Sequence, residues 1–197
     1  MIALALPLGT VAFGSAAASA ANRQSAVSPH AAVKFTGSVT CALKGSLSIK
    51  QTADTTLGLE YSTPETAKIK LTATATACTG DVTQGGVTLT KGAISASITG
   101  SYDWESFIGA PPDAAGKITW KGTGGTITAT TFSLGSGTVS LGPPANITYP
   151  STTQKGSFAG SGKASANVKQ SASSLIKSCE TSPYLKTITI GSGSTIS

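Results

Sequence analysis

The side chains best suited to chemistry lie in one short aromatic segment, residues 102–107. Asp103 and Glu105 flank Trp104 there, and a pair of carboxylates beside an aromatic ring can bind or cleave a sugar. A cap over one end of a β structure is the commoner role of such a segment. We therefore treat six side chains as candidate ligand contacts: Tyr102, Asp103, Trp104, Glu105, Phe107 and Trp120.

Other residue types that carry catalysis are scarce in this chain. His30 is the only histidine, and it lies in an N-terminal leader, whereas a Ser-His-Asp or Cys-His arrangement needs it beside a nucleophile. The chain has no C-x-x-C pair for a metal ion. Residues 157–164 resemble a phosphate loop, but Ser157 and Ala164 break the pattern and the segment reads as a strand. The sequence predicts no catalytic residue, no metal site, no cofactor and no enzymatic activity.

Three cysteines in an exported chain indicate one disulfide and one remaining thiol. Cys41 starts the first predicted strand and Cys78 ends the second, so an antiparallel hairpin makes them neighbours. We predict the pair Cys41–Cys78. The two residues have opposite strand parity, so a bulge or a frayed end has to reconcile them. Cys179 is either a buried, inert thiol or the link in a disulfide-bonded dimer.

The elements that must position these residues are β-strands. Residues 68–77 alternate strictly, with Ile69 and Leu71 on one parity and Lys68 and Lys70 on the other, which is typical of a strand with one buried face. In residues 87–99 the parity changes near Lys91, which indicates a bulge or a turn. Strand character is also found in residues 39–50, 117–121, 126–134, 138–141, 157–169 and 184–190. The only helical candidate is residues 171–179.

The composition supports an all-β fold. The chain contains 27 Ser, 30 Thr and 23 Gly among 197 residues, and these residue types disfavour helices. No connection is long enough for the crossover that parallel strands need. We predict an antiparallel meander of about eight strands, closed as a barrel or folded as a sandwich. Because inward positions in residues 68–77 and 157–169 are mostly Ala and Gly, we expect a narrow, filled core without a wide ligand cavity.

The N-terminus has the pattern of an export signal. Residues 2–13 are apolar, and Ala18-Ser19-Ala20 has the small-x-small form that a signal peptidase cleaves. The usual positive charge before the apolar stretch is missing, and we therefore expect that the true start lies upstream or that the gene model is truncated. We predict a signal peptide at 1–20, a flexible leader at 21–36 and one β domain at 37–197. The mature protein is expected to be secreted or held at the cell surface.

The charges are few and dispersed. The net charge is +6, and charged residues make up 11% of the chain. Lys and Arg occur singly on outward strand positions, without a basic run or an aromatic platform, so we predict no nucleic-acid binding. Weak attraction to anionic cell-wall polymers, or a contact with another envelope protein, fits this distribution. No later segment contains about eighteen consecutive apolar residues, so we predict no membrane span. The outward lysines also argue against a barrel that faces lipid.

Several short motifs follow one another in an order that resembles the small secreted β-rich proteins of unknown function from actinobacteria. They include Val39-Thr40-Cys41, residues 77–80, residues 116–120, residues 156–160 and the region of Cys179. Members of that group often carry a further Cys between the second and the last, which this chain lacks. The resemblance implies export and a β fold, and it transfers no catalytic residue.

The function predicted from the sequence is therefore broad. We expect an exported, non-catalytic protein that acts by binding or as a cell-envelope component. The alternative is a glycan-binding or glycan-cleaving β domain built on residues 102–107. The two differ in whether Trp104 lies on an open surface.

Overall fold

The computed structural model describes residues 31–197. The predicted signal peptide, most of the leader and His30 lie outside the described residues. The strands are β1 Val39–Gln51, β2 Glu65–Gly80, β3 Thr83–Gln84, β4 Val87–Tyr102, β5 Ala115–Thr123, β6 Thr130–Leu134, β7 Thr138–Ser140, β8 Asn146–Gly156, β9 Gly160–Asn167, β10 Thr187–Ile190 and β11 Thr195–Ile196. The helices are α1 Trp104–Gly109 and α2 Ala172–Glu180. Neither helix is long and apolar enough to cross a membrane.

The sheet closes on itself as an antiparallel barrel. Its eight strands pair in the order β1, β2, β4, β5, β6, β8, β9 and β11, and β11 returns to β1. β10 pairs with the other half of β1, while β3 and β7 are short additions to β4 and β8. The predicted all-β antiparallel meander is confirmed, and of its two forms the chain adopts the barrel.

Strand β2, which has the clearest alternation in the sequence, has the predicted buried and exposed faces. In β2, Ala67, Ile69, Ala73 and Ala75 are buried, whereas Thr72 and its outward neighbours are exposed. The parity change in β4 is a bulge within one continuous strand, because the register with β5 shifts between Leu89 and Lys91. One apolar face of both β2 and β4 therefore points into the barrel.

The predicted disulfide is present. Cys41 and Cys78 are bridged, with Cα atoms 4.0 Å apart. The register between β1 and β2 shifts between Thr40 and Ala42, so Cys41 faces a bulge. Ala77 adopts a left-handed conformation there, with φ of 48°, and this turns Cys78 towards the inner side. The bulge resolves the parity conflict that the sequence predicted.

Strand β8 was missed by the sequence analysis. Its inward positions change character, from Ile147 and Tyr149 to the buried polar residues Thr152 and Gln154. A register shift against β9 between Tyr149 and Thr152 also breaks the alternation. Polar inward residues and a bulge together remove the period-two signal on which strand prediction depends.

The end of the predicted leader is part of the fold. Val33 forms a bridge with Ile127, and Phe35 is fully buried. The backbone of Phe35 accepts a hydrogen bond from Phe158 N at 2.9 Å, and its ring lies 5.5 Å from the Phe158 ring. Val33 and Phe35, which the sequence assigns to the leader, therefore pack against the barrel, because one large aromatic side chain is enough to anchor this segment.

Buried apolar residues form two clusters inside the barrel. The first surrounds Phe35, Trp120 and Phe158, and the second surrounds Trp104, Phe107 and Leu175 of α2. The predicted helical segment 171–179 corresponds to α2, which Ser171 caps by accepting a hydrogen bond from Ser174 N. The middle section of the barrel, which we call the waist, lies between the two clusters and includes Ile69, Leu71 and Ala73.

Candidate functional site

The acidic aromatic segment folds as helix α1, which the sequence analysis did not predict. Asp103 is its N-cap: the carboxylate accepts a hydrogen bond from Ser106 N at 2.6 Å, and Ser106 Oγ accepts one from Asp103 N at 3.0 Å. This reciprocal pair is a capping box, which stabilises the first turn of a helix. Asp103 is 7% exposed, and its carboxylate serves the fold by capping the helix. Glu105 is exposed in the first turn.

The aromatic side chains of the segment fill the core. Trp104 and Phe107 are each 1% exposed, and their rings stack with centroids 6.1 Å apart. Trp120 is 5% exposed in the other cluster, where its Nε1 donates to Thr130 Oγ1 at 2.8 Å. A sugar stacks on the accessible face of an aromatic ring, and these three rings offer none.

The six candidate ligand contacts therefore do not form one site. Tyr102 is half-buried and Glu105 is exposed, whereas Asp103, Trp104 and Phe107 are committed to the helix cap and the second cluster. Trp120 lies in the first cluster. The structure therefore does not bring the six residues together, because burying the large aromatic rings stabilises a small barrel core. Their contact with a ligand stays a prediction.

A cavity occupies the waist of the barrel. Leu43, Leu47 and Leu71 point inward from β1 and β2 but are only partly buried, because they face open space. The cavity has a volume of about 80 Å³. It extends past Ala96 of β4 and Ala166 of β9. No residue predicted as a ligand contact other than Phe107 lines it.

The wall of the cavity is almost entirely apolar. Its lining residues are aliphatic or aromatic apart from Ser97, Ser165 and the hydroxyl of Tyr149, and none carries a formal charge. Ser165 Oγ accepts a hydrogen bond from Asn146 Nδ2 at 3.0 Å, which occupies it elsewhere. Water gains few hydrogen bonds in such a space, so apolar cavities of this kind stay dry.

One side of the cavity is closed by loop and helix instead of strand. After Ala96, which pairs with Gly116, β4 has no partner on its β5 side. Phe107 of α1 and residues 112 and 114 of the following segment line the cavity at this gap. The Tyr149 hydroxyl donates to the Pro112 carbonyl at 3.3 Å, which links this segment to β8.

Ionisable groups at this side hold their protons tightly. Burial raises the pKa of Tyr149 to about 12, and the nearby Asp113 carboxylate and Tyr102 add to the effect. Burial and Asp113 also raise the pKa of Tyr102. Both phenols are therefore neutral at physiological pH, and the Tyr149 hydroxyl retains the proton that it donates to Pro112.

Residues 31–197 contain no group of three or more His, Cys, Asp or Glu side chains placed for a metal ion. Cys179 has no exposed surface, and burial together with Glu180 raises the pKa of its thiol to about 12. The thiol form is unreactive. The Cys179-linked dimer stays a prediction, and it requires local opening of α2.

The cavity was not predicted, although its signal was in the sequence. From the inward Ala and Gly residues, the sequence predicts a narrow, filled core. In a sandwich, small inward residues let the two sheets move together, whereas in a closed barrel the diameter depends on the number and stagger of the strands. Small residues in an eight-stranded barrel therefore leave space at the waist.

Comparison of the chain with protein-family models, curated proteins and solved structures found no match. The function proposed for this protein accordingly depends on its own residues and geometry.

Proposed function

We propose that this protein is an exported, non-catalytic binding protein whose site is the interior of the barrel. The observation that carries the proposal is the cavity of about 80 Å³ between two well-packed clusters. An eight-stranded barrel is just wide enough to hold one small ligand. A wall of aliphatic side chains excludes water and holds an apolar group, but it supplies no acid, base or nucleophile.

Export is supported by the disulfide and by the N-terminal sequence. The Cys41–Cys78 bridge is of the kind that persists in oxidising compartments. A released or surface-held protein with dispersed positive charge also suits a role at the cell envelope. Mass spectrometry of culture supernatant is expected to find a chain beginning at Ala21. Cytoplasmic protein that retains Met1 would contradict export.

Binding in the cavity is tested with xenon, an apolar probe that enters dry cavities. In protein with ¹³C-labelled methyl groups, xenon is expected to shift the signals of Leu43, Leu47 and Leu71 saturably. The signal of Leu175, which lies outside the cavity wall, should move little.

A pair of matched variants makes this test specific. Ala166→Leu adds three carbons to the cavity wall and should abolish the shifts. Ala42→Leu adds the same group at an exposed position of β1 and should preserve them. Shifts that persist in Ala166→Leu would place the xenon elsewhere and refute the proposed site.

A further inference from the structure

We infer that the natural ligand presents the end of an unbranched alkyl chain to the cavity, with its polar head at the gap beside Pro112 and Asp113. This inference rests on the proposed function and assigns a ligand class to the same site. It follows from three properties of the cavity: its volume, its extent along the strands and the position of its non-strand wall.

The cavity is small in volume but extends over several residues of β1 and β2. Its wall includes Ile69, Leu71 and Ala73, which are successive inward positions of β2. Leu43 and Leu47 span the same number of residues in β1. Four residues of strand extend about 13 Å, yet the volume is only about 80 Å³. The space is therefore slender.

A slender space selects the shape of its occupant. A cavity of roughly 150 Å³ holds benzene, and this one has about half that volume. A ring does not fit without movement of the wall, whereas a few carbon atoms in a row do. Charged groups are excluded, because a charge in an apolar wall has no compensating partner.

The gap in the barrel determines where a longer chain leaves the cavity. The other walls are paired strands, and opening them breaks backbone hydrogen bonds. Beyond Ala96, the β5 side of β4 has no strand partner and is covered by α1 and residues 110–114. The Tyr149 hydroxyl links residues 110–114 to β8. The carboxylate of Asp113 is exposed there, and it disfavours an anionic head. We therefore assign a neutral head group to the ligand.

Three alcohols test the ligand class by the same methyl shifts. Affinity is expected to rise about fourfold for each methylene buried, so 1-hexanol, with two more methylenes, should bind roughly sixteenfold more tightly than 1-butanol. Cyclohexanol, with as many carbons as 1-hexanol but a ring, should bind at least about tenfold more weakly than 1-hexanol if its ring is excluded. Equal binding of cyclohexanol and 1-hexanol would overturn the alkyl-chain assignment.

The position of the head is tested with a nitroxide carried on a hexyl ether. Paramagnetic broadening is expected at the amides of Ala110 and Asp113. Broadening centred on Phe35 and Phe158 would show that the chain enters from the opposite end, and would overturn the assigned entrance.

The failures of the two proposals are distinguishable. Xenon shifts without a chain-length or shape preference would leave the cavity as a binding site and remove the alkyl-chain ligand. The absence of saturable shifts with both xenon and the alcohols would remove the proposed function as well.

Discussion

Loss of the Cys41–Cys78 bridge is expected to destabilise the barrel substantially. The two cysteines are separated by 37 residues, and closing a loop of that length lowers the entropy of the unfolded chain by an amount worth about 4 kcal/mol. For a domain of this size each kcal/mol corresponds to about 2–4 °C in Tm. The bridge should therefore raise the Tm by about 8–16 °C.

The double variant Cys41→Ala and Cys78→Ala removes the bridge permanently. Alanine is preferable to serine because Cys41 is 1% exposed, and a serine hydroxyl there would add the cost of burying an unpaired polar group. Each single alanine variant should lose about as much stability as the double, because either one abolishes the same bond.

Thermal unfolding followed by circular dichroism measures the effect in three samples: the oxidised protein, the double variant and the oxidised protein treated with a reductant. The reduced protein retains both sulfur atoms, so its loss of Tm reports the bridge without a change in side-chain volume. A loss well below about 8 °C in the reduced protein would show that the chain-entropy account of this bond is wrong.

Three further changes probe other parts of the fold, each by denaturant unfolding. Ala77→Gly should stabilise the fold by about 0.5–1 kcal/mol, because glycine adopts the left-handed conformation without strain. The control variant Ala75→Gly, in the regular part of β2, should destabilise the fold. Equal effects of the two substitutions would contradict this account of Ala77. Phe35→Ala should cost about 3–5 kcal/mol if the N-terminal segment is part of the core, and a loss under about 1 kcal/mol would show that it is not. Cys179→Ser should cost about 1–3 kcal/mol more than Cys179→Ala, because it buries a hydroxyl among apolar groups. Cys179 and Tyr149 both have raised pKa values, so the folded state favours their protonated forms. The contribution of these two groups to the free energy of unfolding should be fully present below about pH 9. It should be lost as the pH rises towards 12, and the loss should be smaller in Cys179→Ala.

The parts of the fold that the sequence predicted well share a simple physical origin. Strict alternation in β2 follows from one buried and one wet face, and no other regular structure produces it. The Cys41–Cys78 pair followed from the ends of two adjacent strands, and of the two devices that the parity conflict required, a bulge or a frayed end, the structure has the bulge. These are local signals, readable without knowledge of distant partners.

The parts that the sequence analysis missed depend on long-range closure. Whether Trp104 lies on a surface or in a core depends on what packs over it, and Trp104 belongs to a buried cluster that includes residues of several strands and of helix α2. Strand β8 was hidden because Thr152 and Gln154 face inward, where Gln154 Nε2 donates to the Ser197 carbonyl at 3.0 Å. Only the closed barrel brings that partner within reach.

The cavity and its access arise from one mismatch in strand length. β4 has 16 residues, whereas its neighbour β5 has 9 and β6 has 5. On its β5 side, β4 is therefore paired with a strand from Thr88 to Ala96, and beyond Ala96 the barrel is completed by α1 and residues 110–114. Small inward residues such as Ala96 and Ala166 leave the waist open. Because β5 is shorter than β4, one side of the waist is covered by elements that can move without breaking a strand pair. A binding site of this kind needs no catalytic residue. It needs a fixed diameter, small side chains and one wall that is not a strand, and this chain has all three.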